Sequence, residues 1–362
     1  MVKRILHFQG RMGLGGAESF MMNLYRKLDK EEFQFDFLIY DDYQDVTDYQ
    51  DEVLKLGGRF FVVTNPKKNI FKYLHEVRML LKKEHFDIVH NQVYFGGGIN
   101  LWLSKRNGIG KRIAHSHATE DGKGQGFLVS ILRFFLAKLL LNNGTDFLAV
   151  SEEAGISLFG NHPFQIVHNG IDLSLYDHPK KTRELKRDEL GIEKETFVIG
   201  NIGRLEKQKN QLYLINVFYE IKKIKKRSKL VIVGSGSLEN DLKEQVRVLG
   251  LDSDVLFLGE RRDIPELMSV FDVFVLSSIY EGLPMVGLEA QAAKKKLVMS
   301  DRISRDTAVT PNCVYINLAA PISEWVKGIL EEPYDNDYTP LLEKYDVSYT
   351  LNQMEKIYRK KV

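Results

Sequence analysis

Residues 273–300 read VFVLSSIYEGLPMVGLEAQAAKKKLVMS. A short apolar run, VFVLSS, meets a turn marked by Gly282 and Pro284. A helix-forming stretch follows, and then a second apolar run, KLVMS. Runs this short and this apolar read as strands buried on both faces, and a helix between two of them makes the strands parallel. Pro284 suits the first helical position. That places Glu281 in the loop after the strand and Glu289 in the second turn of the helix. Glu289 stands among Leu, Met, Val and Ala, where a solvated charge is out of place. The plain alternative is Glu281 as a cap and Glu289 on a solvated face.

The same alternation runs through the whole chain. Strand candidates in the first half are RILHF, FDFLIY, RFFVV, DIVHN, RIAHS, DFLAVS and FQIVHN. In the second half they are FVIGNIG, KLVIVG, VLFLG, VFVLSS and KLVMS, with NCVYINL as a buried strand around Cys313. Amphipathic stretches such as AESFMMNLYRKL and QLYLINVFYEIKKI separate them. A chain of 362 residues exceeds what one core usually supports. The pattern predicts an α/β protein of two doubly wound, Rossmann-like domains facing across a cleft. The charged, Gly- and Pro-bearing segment after HNGID marks the boundary, with the hinge between Asp172 and Pro179. The expected division is 1–172, 173–345, and a terminal helix in 346–362 packing back toward the first domain.

Hydrophobic residues make up 44% and charged residues 28%, the balance of an ordinary soluble protein. A net charge of +2 gives no global attraction to nucleic acid, and no nucleic-acid partner is expected. Locally, KKTRELKR, IKKIKKRSK, AAKKKL and YRKKV are basic. They read either as solvated helix faces or as attraction to an anionic membrane. The single cysteine, Cys313, excludes a disulfide within the chain and fits a reducing compartment, where its role is packing. The apolar part of MVKRILHFQGRMG is too short for a signal peptide and reads as the first strand of a cytoplasmic protein.

Ligands of such sheets bind at the carboxyl ends of strands, so the chemistry is sought in loops that follow strands. In QGRMGLGGAESF, Gly13, Gly15 and Gly16 allow close approach of the backbone to a ligand. The helix start at Glu18 offers free N–H groups to a phosphate. A structural tight turn accounts for these glycines equally well. The spacing departs from G-x-G-x-x-G, and no acidic residue stands clearly at the end of the second strand, which disfavours a nicotinamide dehydrogenase. In GNIGRLEKQKNQ, Arg204 offers a planar fork and Lys209 a mobile point charge, which together suit a diphosphate without metal. The alternative is two exposed surface charges. In RIAHSHATEDGKGQG a strand ends in His115 and His117, with a Gly-rich loop behind them that reads as mobile. No third ligand of good spacing follows, so a hydrogen-bonding or catalytic histidine is preferred to a metal site. A satisfied structural histidine remains the alternative for His115. The segment GFLVSILRFFLAKLLLNNG, 126–144, carries apolar groups on most sides, yet Arg133 and Lys138 interrupt it and it is too short to span a bilayer. It is either a buried domain helix or a helix laying one side into lipid.

These loops come in the order expected of the retaining, nucleotide-sugar-dependent glycosyltransferases of family 4, which have the GT-B fold. GLGGAES resembles that family's N-terminal glycine loop, HNGID its interdomain signature, and GRLEKQKN its Arg/Lys phosphate motif. EGLPMVGLEAQAA closely resembles its paired-glutamate motif. The resemblance spans nearly the whole chain and, with RIAHSHAT, is greatest to bacterial capsule and exopolysaccharide transferases. AAKKKLVMSD departs from it, because the family more often has a Gly-x-Pro turn there.

The resemblance implies that Arg204 and Lys209 bind the donor diphosphate and that Glu289 accepts from the ribose hydroxyls. It implies Glu281 at the donor sugar, with Gly282 and Leu283 in the same donor loop. Gly15 and Gly16 would approach the donor from the other domain. His117 would act with Glu281 at the reacting centre, with His115 as second choice. The implied activity is retaining transfer from a nucleotide sugar, taken as a UDP-sugar, to a glycan or undecaprenyl-type lipid-linked acceptor. The implied place is the cytoplasm, at the inner face of the membrane. The family works without a metal-binding Asp-x-Asp motif, and none stands at a strand end here, so no metal or other cofactor is expected. A sugar-nucleotide epimerase of similar fold and a non-catalytic sugar-nucleotide-binding protein are the alternatives.

Overall fold

The computed structural model describes residues 2–13, 15–46, 48–117, 127–177, 180–332 and 339–360. Two compact units emerge: Met1–Gly170 with Val347–Val362, and Ile171–Asp346.

In the first unit the chain runs β1 (Lys3–Gly10), α1 (Gly16–Lys27), β2 (Phe33–Tyr40), α2 (Gln50–Lys55) and β3 (Arg59–Val63). It continues through α3 (Ile70–Lys83), β4 (Ile88–Asn91), α4 (Gly97–Arg106), β5 (Lys111–Ser116) and α5 (Phe127–Asn143). β6 (Asp146–Ala149), α6 (Glu152–Phe159) and β7 (Gln165–Ile166) complete this run. The described strands form one seven-stranded sheet in the order β3-β2-β1-β4-β5-β6-β7, and every pairing is parallel. Parallel strands need both faces covered, and β4 is buried at all its positions. Successive residues point to opposite faces, so Ile5 joins one core cluster and Leu6 another. Asn69 caps α3 by accepting from Lys72 N at 3.0 Å, and Ser151 caps α6 by accepting from Ala154 N at 3.2 Å.

The second unit contains α7 (Lys180–Glu189), β8 (Phe197–Ile202), α8 (Gln211–Ile224), β9 (Ser228–Val233) and α9 (Glu239–Val248). Then come β10 (Val255–Phe257), α10 (Ile264–Val270), β11 (Val273–Leu276), α11 (Met285–Ala292), β12 (Lys296–Ser300), β13 (Cys313–Ile316) and α12 (Ile322–Leu330). Its described strands form a six-stranded parallel sheet, β10-β9-β8-β11-β12-β13. The last helix, α13 (Val347–Arg359), belongs to the first unit. Val347, Met354, Ile357 and Tyr358 bury themselves in that unit's core, at about 2 kcal/mol apiece.

Both sheets have the doubly wound order, and every strand candidate is present. FQIVHN shortens to a two-residue strand at the sheet edge. β13 is an edge strand too and is only partly buried, contrary to the expectation for NCVYINL. The expected hinge extends into residues 178–179, which lie outside the described residues.

Part of the basic clusters is paired rather than solvated. In α7, Arg187 is buried and Arg183 half-buried, and both pair with Asp272 at 3.0 and 2.5 Å. Lys222 pairs with Asp254 at 2.8 Å, and Arg359 with Glu32 at 2.6 Å. These side chains are paired within their own unit, whereas Lys223, Lys225, Lys226 and Arg227 stay exposed.

Candidate active site

A doubly wound sheet opens a ligand crevice where its strand order reverses. In the second unit that point lies between β8 and β11, and in the first between β1 and β4. Of the loops predicted to carry the chemistry, three follow β1, β8 and β11, and the fourth follows β5.

In the second unit the loops after β8 and β11 are laced together. Ile279 N donates to Gln208 O at 2.8 Å, Gln208 Nε2 to Tyr280 O at 2.9 Å, and Asn210 Nδ2 to Ser277 O at 3.2 Å. This lacing brings Lys209 Nζ to 2.6 Å from Glu281 Oε2. Ser278 Oγ donates to the other Glu281 oxygen. The Glu281 backbone is fixed as well, donating to Arg302 O at 3.3 Å and accepting from Ser304 N at 3.0 Å. Arg204 is exposed, with Nη2 at 3.5 Å from Gln208 Oε1. Gly282 and Leu283 continue the loop to Pro284. Pro284 caps α11 in extended conformation, so the helix starts one residue later than expected.

Glu289 projects from α11 toward Tyr176, which hydrogen-bonds to its carboxyl group. Burial pushes the Glu289 carboxyl up to about 7, and the Tyr176 bond opposes that rise. Burial and the Glu289 charge hold the Tyr176 phenol well above its ordinary range. Tyr176 was missed by sequence reasoning, and so was Glu206, which accepts from Ser237 N at 3.1 Å and Ser237 Oγ at 2.9 Å. Tyr176 lies just past HNGID, and nothing in its immediate sequence points at Glu289. The departure at AAKKKL has a local outcome: Lys294 takes φ 58 where the family favours glycine. The helix end is closed by Lys294 N to Gln291 O and Lys295 N to Ala290 O, both 2.9 Å.

In the first unit Gly15 is the N-cap of α1, and a Cβ there would stand 2.2 Å from the Glu18 carboxylate. Glu18 turns that carboxylate back onto its own N–H. The expected free N–H groups at this helix start are therefore partly taken. A Cβ at Gly16 would meet nothing within 4 Å. Two acids do stand at the end of the second strand, contrary to the sequence reading: Asp41 and Asp42 follow β2 directly. They are committed locally, Asp41 accepting from Asn65 N at 3.0 Å and Asp42 from Asn65 Nδ2 at 2.7 Å, and both pair with Lys68.

His115 is fully buried. Its Nδ1 lies 3.2 Å from His90 Nε2, and His90 Nδ1 lies 2.9 Å from the Tyr358 hydroxyl. That environment is one of a packed, neutral histidine. His117 lies just past β5, with Nε2 at 2.5 Å from Gln92 Oε1 and the Asn169 amide beside the ring. Burial pushes its imidazole down to about 3. The loop EDGKGQG behind it lies outside the described residues. Among the described residues no group of three or more His, Cys, Asp or Glu is placed to hold a metal. Burial pushes the Cys313 thiol up to about 11, which leaves it a poor nucleophile.

α5 is not enclosed in the core. Leu140 is fully buried, and α4 packs so closely that a Cβ at Gly98 would lie 2.5 Å from Leu136 O. On the outer side Leu132, Phe134 and Phe135 are 53%, 64% and 62% exposed. Among the described residues no helix is long and apolar enough to cross a membrane.

Residues 182–313 match the family described as glycosyl transferases group 1, and residues 14–175 match glycosyltransferase family 4. EpsF of Bacillus subtilis (strain 168), named as a glycosyltransferase, is 37% identical over 90% of this chain and 87% of its own. The UDP-Gal:alpha-D-GlcNAc-diphosphoundecaprenol alpha-1,3-galactosyltransferase of Escherichia coli is 30% identical over 82% of this chain and 79% of its own. The crystal structure of Anabaena Alr3699/HepE in complex with UDP superposes with a TM-score of 0.78 at 19% identity, covering 99% of both chains. With two doubly wound units, paired glutamates after β11 and the Arg/Lys loop after β8, the chain belongs to the family 4 glycosyltransferases of GT-B fold.

Proposed function

We propose that this protein is a retaining glycosyltransferase that takes a sugar from a UDP-sugar and passes it to a lipid-linked diphosphate acceptor in capsule or exopolysaccharide synthesis. The observation that carries this reading is the cation set at the β8/β11 switch point, exposed Arg204 beside Lys209 paired to Glu281. Breaking the bond between sugar and phosphate puts negative charge on the departing diphosphate. Fixed cations that meet this charge lower the barrier without a metal. Glu281, held by Lys209 and Ser278, turns to the donor sugar, and Glu289 accepts from the ribose hydroxyls. Retention requires the acceptor hydroxyl to attack from the face the nucleotide leaves. A hydrolase-style pair of carboxylates is not needed for that geometry.

The acceptor lies at a membrane in this reading. Phe134 and Phe135 of α5 face outward, beside exposed Lys138, and suit an anionic lipid surface at the cytoplasmic side. The E. coli relative's named substrate is a diphosphoundecaprenol, a lipid of that kind.

A thermal-shift panel of nucleotides and nucleotide sugars tests the donor assignment. UDP and one UDP-sugar should raise the melting temperature in a concentration-dependent way. Stabilisation by a GDP- or ADP-sugar instead, with none by UDP, would overturn the UDP assignment.

A further inference from the structure

Gln208 stands in the turn Lys207–Lys209 after β8 and is half-buried. Its backbone and its side chain both reach the loop after β11. Ile279 N donates to Gln208 O at 2.8 Å, and Gln208 Nε2 donates to Tyr280 O at 2.9 Å. A carbonyl oxygen only accepts, so the NH₂ end of the amide must face Tyr280. Oε1 is then the end that faces Arg204 Nη2, at 3.5 Å. A bond this long steers the guanidinium and leaves it free to close on a ligand.

The rest of Arg204 is already held. Its carbonyl oxygen accepts from Gln211 Nε2 at 3.0 Å and from Glu206 N at 2.9 Å. Glu206, the acid of the same loop, is turned to Ser237, whose N–H and hydroxyl it accepts at 3.1 and 2.9 Å. With the backbone fixed, the aim of the guanidinium is what the Gln208 amide sets. We infer that Gln208 is a positioning residue: anchored on the Glu281 loop at Tyr280 O, it aims Arg204 at a bound diphosphate. The inference rests on the transferase reading only for the source of that diphosphate, the sugar donor.

Calorimetric titration of the full chain with pyrophosphate and with UDP tests this without an acceptor or turnover, and thermal melts check that each variant folds. Gln208→Met keeps the length of the side chain and removes both polar ends. It should weaken pyrophosphate binding roughly fivefold, the scale of one hydrogen bond. In an Arg204→Ala background the same change should cost less than about twofold, because it acts through Arg204. Gln208→Glu keeps an acceptor for Arg204 but cannot donate to Tyr280 O, so it should bind pyrophosphate more tightly than Gln208→Met. Equal losses in both backgrounds, or Gln208→Glu binding no better than Gln208→Met, would overturn the inference and leave Gln208 as a tie between loops. If Gln208→Met does not fold, the same comparison with Gln208→Ala decides. Pyrophosphate bound with the expected coupling while UDP is refused would count against the donor reading and leave this inference standing. A wild type that binds neither overturns both.

Discussion

Lys209 Nζ lies 2.6 Å from Glu281 Oε2, so two residues that the sequence assigns to different parts of one ligand are paired with each other. Their side chains are only 15% and 9% exposed. Removing either one strands a partly buried charge. Arg204, by contrast, is exposed and makes one long hydrogen bond.

The two cations should therefore respond differently to removal. Arg204→Ala and Lys209→Ala should each cost about 3 kcal/mol in the barrier, more than a hundredfold in turnover. Lys209→Ala should also lower the melting temperature, by about 1–2 kcal/mol of stability, while Arg204→Ala leaves it unchanged. Steady-state kinetics and thermal melts on purified variants check both. With these cations meeting the leaving group, turnover should persist in EDTA, and complete loss restored by Mn²⁺ or Mg²⁺ would count against the metal-free reading.

Glu289 makes the protein's stability depend on pH. Its folded-state value, raised from 4.5 to about 7, lies above that of the unfolded chain. The native state thus holds a proton that the unfolded state releases, and stability falls as pH rises between these values. The full difference is about 3 kcal/mol at pH 8. Glu289→Gln cannot ionise, so its melting temperature should fall less than the wild type's between pH 5 and pH 8. Parallel curves for the two proteins would refute this.

The strands and the loops after β1, β8 and β11 were legible because short apolar runs and Gly/Pro turns are local signals. The pairing of Lys209 with Glu281 was not, since it depends on the neighbouring positions of β8 and β11 in the sheet. Tyr176 was invisible for the same reason, being remote in sequence from Glu289. Within KKTRELKR the sequence shows charge but not its partner: Arg187 points inward to Asp272. In α5 the apolar groups on most sides left core and surface unresolved, and Gly98 of α4 decides which side is covered.

Lys294 sits at φ 58, in a region that costs a residue with a Cβ roughly 1 kcal/mol. Lys294→Gly should relieve this strain and raise the melting temperature with activity intact. No change, or a decrease, would mean that Lys294's own contacts outweigh the backbone strain.

Phe134→Ser with Phe135→Ser should weaken sedimentation with anionic liposomes at least about tenfold, the result of removing two large apolar groups from a lipid contact. Both rings are mostly exposed, so the melting temperature should hardly move. A wild type that ignores liposomes, or a double variant that unfolds, would refute the membrane contact.

The most direct test of the central claim is product analysis after mixing the protein with a UDP-sugar panel and an undecaprenyl-diphosphate-linked sugar. The expected result is one donor consumed, UDP released, and the acceptor heavier by one sugar whose anomeric configuration matches the donor's. All of this should be lost in Arg204→Ala. Release of UDP without a heavier acceptor, interconversion of one UDP-sugar into another, or a product of inverted configuration would contradict the account.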